Sequence, residues 1–283
     1  MIVRLLCALS LTGIASPASA LSSDWVDGQS SRIRLVAEDT ALGADGEIVL
    51  GLEITMEPGW KTYWRTPGEA GIPPFFDWSK SANLKNIDIS WPVPHRVEYY
   101  GIDAFTYSDR VVLPVKITAF SPSEGVDLKL TIAYGVCSDL CILEQVDIDL
   151  PVPSGVAQAS PHAGLIASAS AHLPLASLEG LELKNAVVRR DGDKTDVEIT
   201  VTGWTGPGGE EMAPDGAYDV FLEAGPEYLF GRARYQPGPG NETGRFLIPM
   251  VAGPDTSLQD VVLLVTAVSP NGAVEVPLII SEQ

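Results

Sequence analysis

Apolar and polar residues alternate along most of this chain, so that every second residue is hydrophobic over many short segments. A period of two predicts β-strands with one buried face, because successive side chains of a strand point to opposite sides of a sheet. In the first half, strands are predicted around residues 33–35, 47–56, 60–64, 87–91, 111–117, 128–134 and 146–150. The aromatic segment 98–107 is predicted to be a loop. Many short strands separated by proline and glycine are typical of an all-β sandwich.

The second half of the chain shows the same kind of alternation, after a stretch rich in alanine, serine and proline. Strands are predicted there around residues 197–201, 218–222, 246–250, 261–265 and 274–280. We therefore expect two β-sandwich domains, residues 21–153 and 176–283, joined by a connector of residues 154–175. Residues 157–172 of this connector have a composition compatible with one short helix.

The first twenty residues have the pattern of a secretory signal peptide. Arg4 gives a positive start, an apolar run follows, and Ala18-Ser19-Ala20 offers small residues for cleavage. Cleavage removes Cys7 and leaves Cys137 and Cys141 as the cysteines of the mature protein. No later apolar run reaches the roughly 20 residues that a membrane helix needs, so we expect no integral membrane segment after cleavage.

The chain is strongly acidic, with a formal net charge of −19. An acidic surface repels phosphate backbones and anionic lipid, so we expect no nucleic-acid partner. Secretion also places the two remaining cysteines in a compartment where disulfides form and exchange.

Cys137 and Cys141 lie between the two most regularly alternating segments of the chain. This position predicts a β-hairpin with the cysteines in its loop, at one end of a sheet where a partner can reach them. Cysteines four residues apart can form a disulfide if the loop is tight. If the disulfide were purely structural, however, closing a loop this short would stabilise the folded state by only about 2 kcal/mol in the chain-entropy model. A redox-active pair is therefore favoured over a staple, and an oxidising compartment disfavours a pair of inert buried thiols.

The charges around the pair bear on its reactivity. Asp139 lies between the cysteines, Glu144 follows them, and no lysine or arginine lies within the motif. Negative charge opposes ionisation of a thiol, so we expect a pair that reacts with a partner rather than a fast nucleophile in its own right. Such behaviour suits a relay.

The rival chemistry is copper binding. Two thiolates suit Cu(I), and His95 is the best candidate for a third ligand. Phosphate-loop, GxSxG and HExxH motifs are absent from the sequence, and we predict no cofactor and no resident metal. The alternative function is thus a copper-binding or copper-tolerance protein that uses the same two thiols.

Four stretches of the sequence have a familiar pattern: residues 59–74, 98–101, 107–115 and 134–141. Together they resemble the periplasmic N-terminal domain of the thiol:disulfide interchange protein DsbD, and most closely its ScsB-like relatives, which are linked with copper tolerance. The resemblance covers about residues 26–153. It implies an immunoglobulin-like fold for this part of the chain and a periplasmic location.

The resemblance also implies roles for individual residues. Cys137 and Cys141 would receive electrons from a membrane-bound thiol donor and pass them to thioredoxin-like periplasmic clients, with Cys141 as the sulfur attacked first. Glu98, Tyr99 and Tyr100 match an aromatic cap loop that covers the disulfide. Full-length relatives continue into membrane helices and a thioredoxin-like domain, so we expect the donor to be another polypeptide.

Overall fold

The computed structural model describes residues 20–99, 101–208, 217–239, 243–253 and 258–282. The predicted signal peptide lies outside the described residues apart from Ala20. The strands of the first unit are β1 (Val26–Asp27), β2 (Ser31–Ala37), β3 (Glu47–Met56), β4 (Lys61–Gly68), β5 (Phe75–Asp77), β6 (Leu84–Ile89), β7 (His95–Tyr99), β8 (Ile102–Ser108), β9 (Arg110–Ala119), β10 (Val126–Cys137) and β11 (Cys141–Val152). The predicted all-β class is confirmed.

The first unit is a sandwich of two sheets. One sheet has the strand order β1-β2-β3-β9-β6, and the other has the order β11-β10-β4-β8-β7, with β5 pairing on β10. Alternation along β10 explains the packing, because Leu130, Ile132 and Tyr134 are buried in the core while Thr131 and Ala133 are only partly covered. In this second sheet β7 is an edge strand, paired only with β8.

The segment that was predicted to be an aromatic loop is instead the β7–β8 hairpin. Its strands pair from His95↔Thr106 to Tyr99↔Ile102, which leaves only two residues for the turn. Gly101 has a φ of 82°, the left-handed conformation that such a turn favours. The strand was missed because both faces of β8 are covered: residues 103–107 are all buried, so no apolar alternation marks the strand.

The second unit has its own core. Its strands are β12 (Glu182–Asp191), β13 (Lys194–Thr202), β14 (Asp219–Glu223), β15 (Leu229–Phe230), β16 (Arg234–Pro237), β17 (Thr243–Ala252), β18 (Val262–Ser269) and β19 (Gly272–Glu282). They follow one path, β14-β18-β19-β12-β13-β17-β15, with β16 on β17. The long strand β19 joins the β14–β18 pair to the strands β12, β13, β17 and β15. It pairs with β18 up to Ile279 and with β12 from Ile280 onward.

The connector is bound to both units. Its helix α1 (Ala163–Ser170) lies within the predicted range and buries Ile166. Backbone hydrogen bonds join Leu175 to Ala273 and Glu275 of the second unit, at 2.9 and 2.8 Å. Among the described residues, no helix has the length and apolar character needed to cross a membrane.

The two units also share an aromatic contact. Phe221 of β14 is 1% exposed and packs against the first unit, with ring centroids 5.5 Å from Trp64 and 4.9 Å from Phe105. A side chain of the second unit thus completes the core of the first.

Candidate redox site

The two cysteines close the β10–β11 hairpin. Cys137 is the last residue of β10, Cys141 is the first of β11, and the two are cross-strand partners. Their Sγ atoms are bonded at 2.12 Å. The hairpin predicted from the alternation is present, with the cysteines at its tip.

The two sulfur-bearing residues differ in exposure. Cys137 is 4% exposed and packs in a small cluster with Tyr63 and Ala104, whereas Cys141 is exposed. A partner that approaches the hairpin tip therefore meets Cys141 first.

Tyr63 of β4 contacts both sulfurs. Its hydroxyl donates a hydrogen bond to Cys137 Sγ at 2.8 Å and lies 3.4 Å from Cys141 Sγ. Burial, and secondarily the neighbouring Tyr99, raise the pKa of Tyr63, so the hydroxyl keeps its proton and remains a donor. Tyr63 is not among the residues that the sequence motifs single out. Adjacent residues of a strand face opposite sides, and since Trp64 enters the core, Tyr63 lies on the outer face of β4.

Two glycines make room for the Tyr63 ring. A Cβ on Gly135 would lie 2.7 Å from Ile72 and 3.1 Å from the ring. A Cβ on Gly71 would lie 2.7 Å from the opposite side of the ring. Contacts under 3.0 Å are too close, so a side chain at position 71 would displace the ring, and one at position 135 would displace Ile72 and crowd the ring.

A lysine on β4 lies on the same face of the sheet as the pair. Lys61 is the cross-strand partner of Cys137 in the sheet. Residues directly opposite each other project to the same face, so Lys61, Tyr63 and Cys137 share the outer face. The Lys61 Nζ atom lies 5.9 Å from the centroid of the Tyr99 ring.

The predicted cap residues divide into three cases. Tyr99 is partly buried and packs on the cluster that contains Cys137 and Tyr63. Glu98 is exposed and forms an ion pair with Arg232 of the second unit instead of facing the sulfurs. Tyr100 lies outside the described residues.

The two acidic residues of the motif have different surroundings. Asp139 is exposed in the hairpin loop. Glu144 is 4% exposed and accepts hydrogen bonds on the inner face of the hairpin. Its donors are the backbone nitrogens of Gln29 and Ser30 at 2.9 and 3.0 Å, the Ser31 hydroxyl at 2.6 Å and the Tyr134 hydroxyl at 3.0 Å. Glu144 therefore fixes the β1–β2 turn to the hairpin, and its carboxylate is bound there instead of being free beside the sulfurs.

The copper alternative depended on a third ligand. His95 is exposed at the start of β7, at the opposite end of that strand from Tyr99. Across the described parts of the chain, no group of three or more His, Cys, Asp or Glu side chains is arranged to hold a metal ion.

Comparisons with known proteins concern the family and the fold. Residues 32–153 match the family model described as "Thiol:disulfide interchange protein DsbD, N-terminal". The crystal structure of the N-terminal periplasmic domain of ScsB from Proteus mirabilis has a similar fold, with a TM-score of 0.72 and 19% identity over 94% of this chain and 100% of that chain. No curated protein gave a match. The resemblance inferred from the sequence is confirmed, and so is the immunoglobulin-like fold.

Proposed function

We propose that the protein is a periplasmic electron relay, because residues 32–153 match the DsbD N-terminal family model and contain the Cys137–Cys141 disulfide. In this role it accepts electrons from a membrane-bound thiol donor and passes them to thioredoxin-like clients. The observation that carries the proposal is the asymmetry of the pair, with an exposed Cys141 bonded to a buried Cys137 whose sulfur accepts a hydrogen bond from Tyr63.

Reduction of the pair takes two steps. A donor thiolate attacks Cys141 Sγ, the Cys137–Cys141 bond breaks, and its electron pair stays on Cys137 Sγ. The Tyr63 hydroxyl donates to this leaving thiolate, which lowers the cost of forming it. A second donor thiolate then attacks the mixed disulfide at the donor sulfur and releases Cys141. The donor dithiol is oxidised to a disulfide, and the pair gains two electrons and two protons.

Transfer to a client is the reverse chemistry. The Cys141 thiolate attacks a client disulfide, and a mixed disulfide forms while one client sulfur leaves as a thiolate. Cys137 then attacks Cys141 Sγ, which restores the Cys137–Cys141 bond and releases the client as a dithiol. The positive charge of Lys61, on the same sheet face as Cys137, favours the thiolate form in both directions.

Trapping the mixed disulfide tests this function. Cys137→Ser leaves Cys141 without its resolving partner, so this variant, expressed in the source cell and purified without reductant, should carry a covalently bound protein that dithiothreitol releases. Cys141→Ser is the matched control, because the remaining sulfur is buried, and it should carry much less. If neither variant carries a protein, or if the wild type is isolated with bound copper, the relay is wrong.

A further inference from the structure

We propose that the second unit holds the β7–β8 hairpin over the disulfide and thereby controls access to Cys137, with Arg232 as the positioning residue. The hairpin carries Tyr99, which packs on the cluster containing Cys137. The proposal rests on the proposed function only for its biological consequence. The physical claim concerns access to a sulfur atom and can be tested without any client.

Arg232 binds both strands of the hairpin at once. Its guanidinium donates to the Asp103 carboxylate with distances of 2.6 to 3.2 Å, and the same Nη2 atom also bonds to Glu98. Glu98 and Asp103 are directly paired across the hairpin. One side chain of the second unit therefore joins β7 to β8 next to the turn.

A second arginine extends this contact inward. Arg96 of β7 has a side chain only 2% exposed, and it donates to Asp103 at 2.8 Å and twice to Asp219 of β14 at 2.9 Å. Its guanidinium also lies 4.7 Å from the ring centroid of Phe105 and 5.2 Å from that of Phe221. Charges of opposite sign thus alternate from Glu98 through Arg232, Asp103 and Arg96 to Asp219. We call these five residues the interdomain clamp.

The position of the hairpin explains why a clamp matters. β7 is the edge strand of its sheet, so ladder hydrogen bonds secure it only on the side of β8. Tyr99 follows Glu98 directly and ends β7, next to the turn. Lifting Tyr99 away from Cys137 requires Glu98 and Asp103 to move relative to Arg232, because these contacts hold the same end of the hairpin.

The two arginines differ in how easily they can be released. The Arg96 side chain is enclosed between the units, whereas that of Arg232 is 18% exposed and its partner Glu98 is 46% exposed. Exposed ion pairs break at lower cost than buried ones. Arg232 is therefore the part of the clamp that can open while Arg96 and Phe221 keep the units together.

The test is alkylation of the reduced protein by iodoacetamide, followed separately at each cysteine by peptide mass spectrometry. In Arg232→Gln, the rate at Cys137 should rise about tenfold over wild type, because the partly exposed ion pairs to Asp103 and Glu98 are lost and the open population of the hairpin increases. The rate at the exposed Cys141 should change much less. The alkylation rate is measured from pH 6 to pH 10. A change in access alters the plateau rate reached at high pH, whereas a shifted thiol pKa moves the midpoint of the rate–pH curve.

Arg245→Gln is the matched control, because this arginine of the second unit pairs with Glu198 instead of the hairpin. Arg232→Lys keeps the charge but loses the planar fork, so it should restore part of the protection. If Arg232→Gln fails to fold, Glu98→Gln removes the exposed contact alone and should raise the same rate. A plateau rate at Cys137 equal to that of Arg245→Gln in both clamp variants would overturn the proposal. If alkylation at Cys137 is faster in Arg232→Gln but Cys137→Ser traps no client, the clamp is supported and the relay function is contradicted.

Discussion

The hydroxyl of Tyr63 lies 2.8 Å from the sulfur of Cys137 and donates a hydrogen bond to it. Cys137 is the sulfur that becomes a thiolate when a partner attacks the exposed Cys141. The donor is therefore aimed at the atom on which negative charge develops. Because burial raises the pKa of Tyr63, the donor keeps its proton throughout the range in which thiols exchange.

Tyr63→Phe tests this relationship most simply. It keeps the ring between Gly71 and Gly135 but removes the donor, so the Cys137 thiolate is less stable and a poorer leaving group. We expect reduction by dithiothreitol to slow by about tenfold, since hydrogen bonds to charged groups contribute roughly 1.5–3 kcal/mol. Thr62→Val is the control, because it removes a neighbouring hydroxyl that bonds the Gly135 carbonyl instead of a sulfur. Equal reduction rates for Tyr63→Phe and wild type would show that the hydroxyl has no role in exchange.

Tyr99→Ala tests whether the hairpin limits access to the buried sulfur. Removing the ring should uncover the cluster around Cys137 and speed its alkylation in the reduced protein, since Tyr99 is packed there. The measurement is the alkylation rate at Cys137 relative to that at Cys141. Phe75→Ala removes another ring, but an exposed one on β5, and should leave the ratio unchanged. An unchanged ratio in Tyr99→Ala would mean that Tyr99 does not cap the site.

Glu144→Gln tests the assignment of Glu144 to structure rather than to redox tuning. Glutamine has one acceptor oxygen and an NH2 donor in place of the second oxygen, so part of the set of four accepted hydrogen bonds is lost. We expect the free energy of unfolding to fall by about 1–3 kcal/mol. The pKa of the Cys141 thiol, measured from the pH dependence of alkylation, should not change. A lowered thiol pKa with unchanged stability would support the role predicted from the sequence instead.

The clamp makes the stability of the protein depend on pH through Asp103. Burial opposes its ionisation, but hydrogen bonds from Arg232 and the charge of Arg96 outweigh burial and lower its pKa. A lowered folded-state pKa contributes stability that is complete above the unfolded value of about 4 and is lost as the pH falls below it. Wild type should therefore be more stable than Asp103→Asn at pH 6, and the difference should shrink between pH 4 and pH 2.

This comparison isolates Asp103. Asp219 also faces Arg96, but burial raises its pKa, so its own pH dependence has the opposite sign. Asp219 is present in both proteins and its contribution largely cancels. Urea unfolding at each pH gives the difference, and a gap that stays constant down to pH 2 would contradict the assignment.

The alternation of residues was enough to predict the hairpin that carries the cysteines. Residues 126–133 and 141–152 each keep one buried and one more open face, so the period of two survives in the sequence. The β7–β8 hairpin was missed because Ala104 to Tyr107 are buried on both faces and show no such period.

The partners of the disulfide could not be found by reading along the motif. Lys61 and Tyr63 reach the site from β4, more than 70 positions before Cys137, and only sheet register brings them together. The structural partners of Glu144 are equally hidden from the sequence: it lies near Cys141 along the chain, but its side chain points to the other face of the hairpin and binds the β1–β2 turn. The contacts of Phe221 and Arg232 with the first unit depend on how the two units pack, which local pattern does not encode.

The central claim is that Cys137 and Cys141 exchange electrons instead of stapling the hairpin. The reduction potential of the pair, measured by equilibration with glutathione or dithiothreitol buffers, tests it most directly. Structural disulfides typically lie below about −300 mV, while exchanging ones lie higher. We predict a value above about −300 mV for the wild-type protein. A value well below that limit would show that the bond is a staple and would contradict the account.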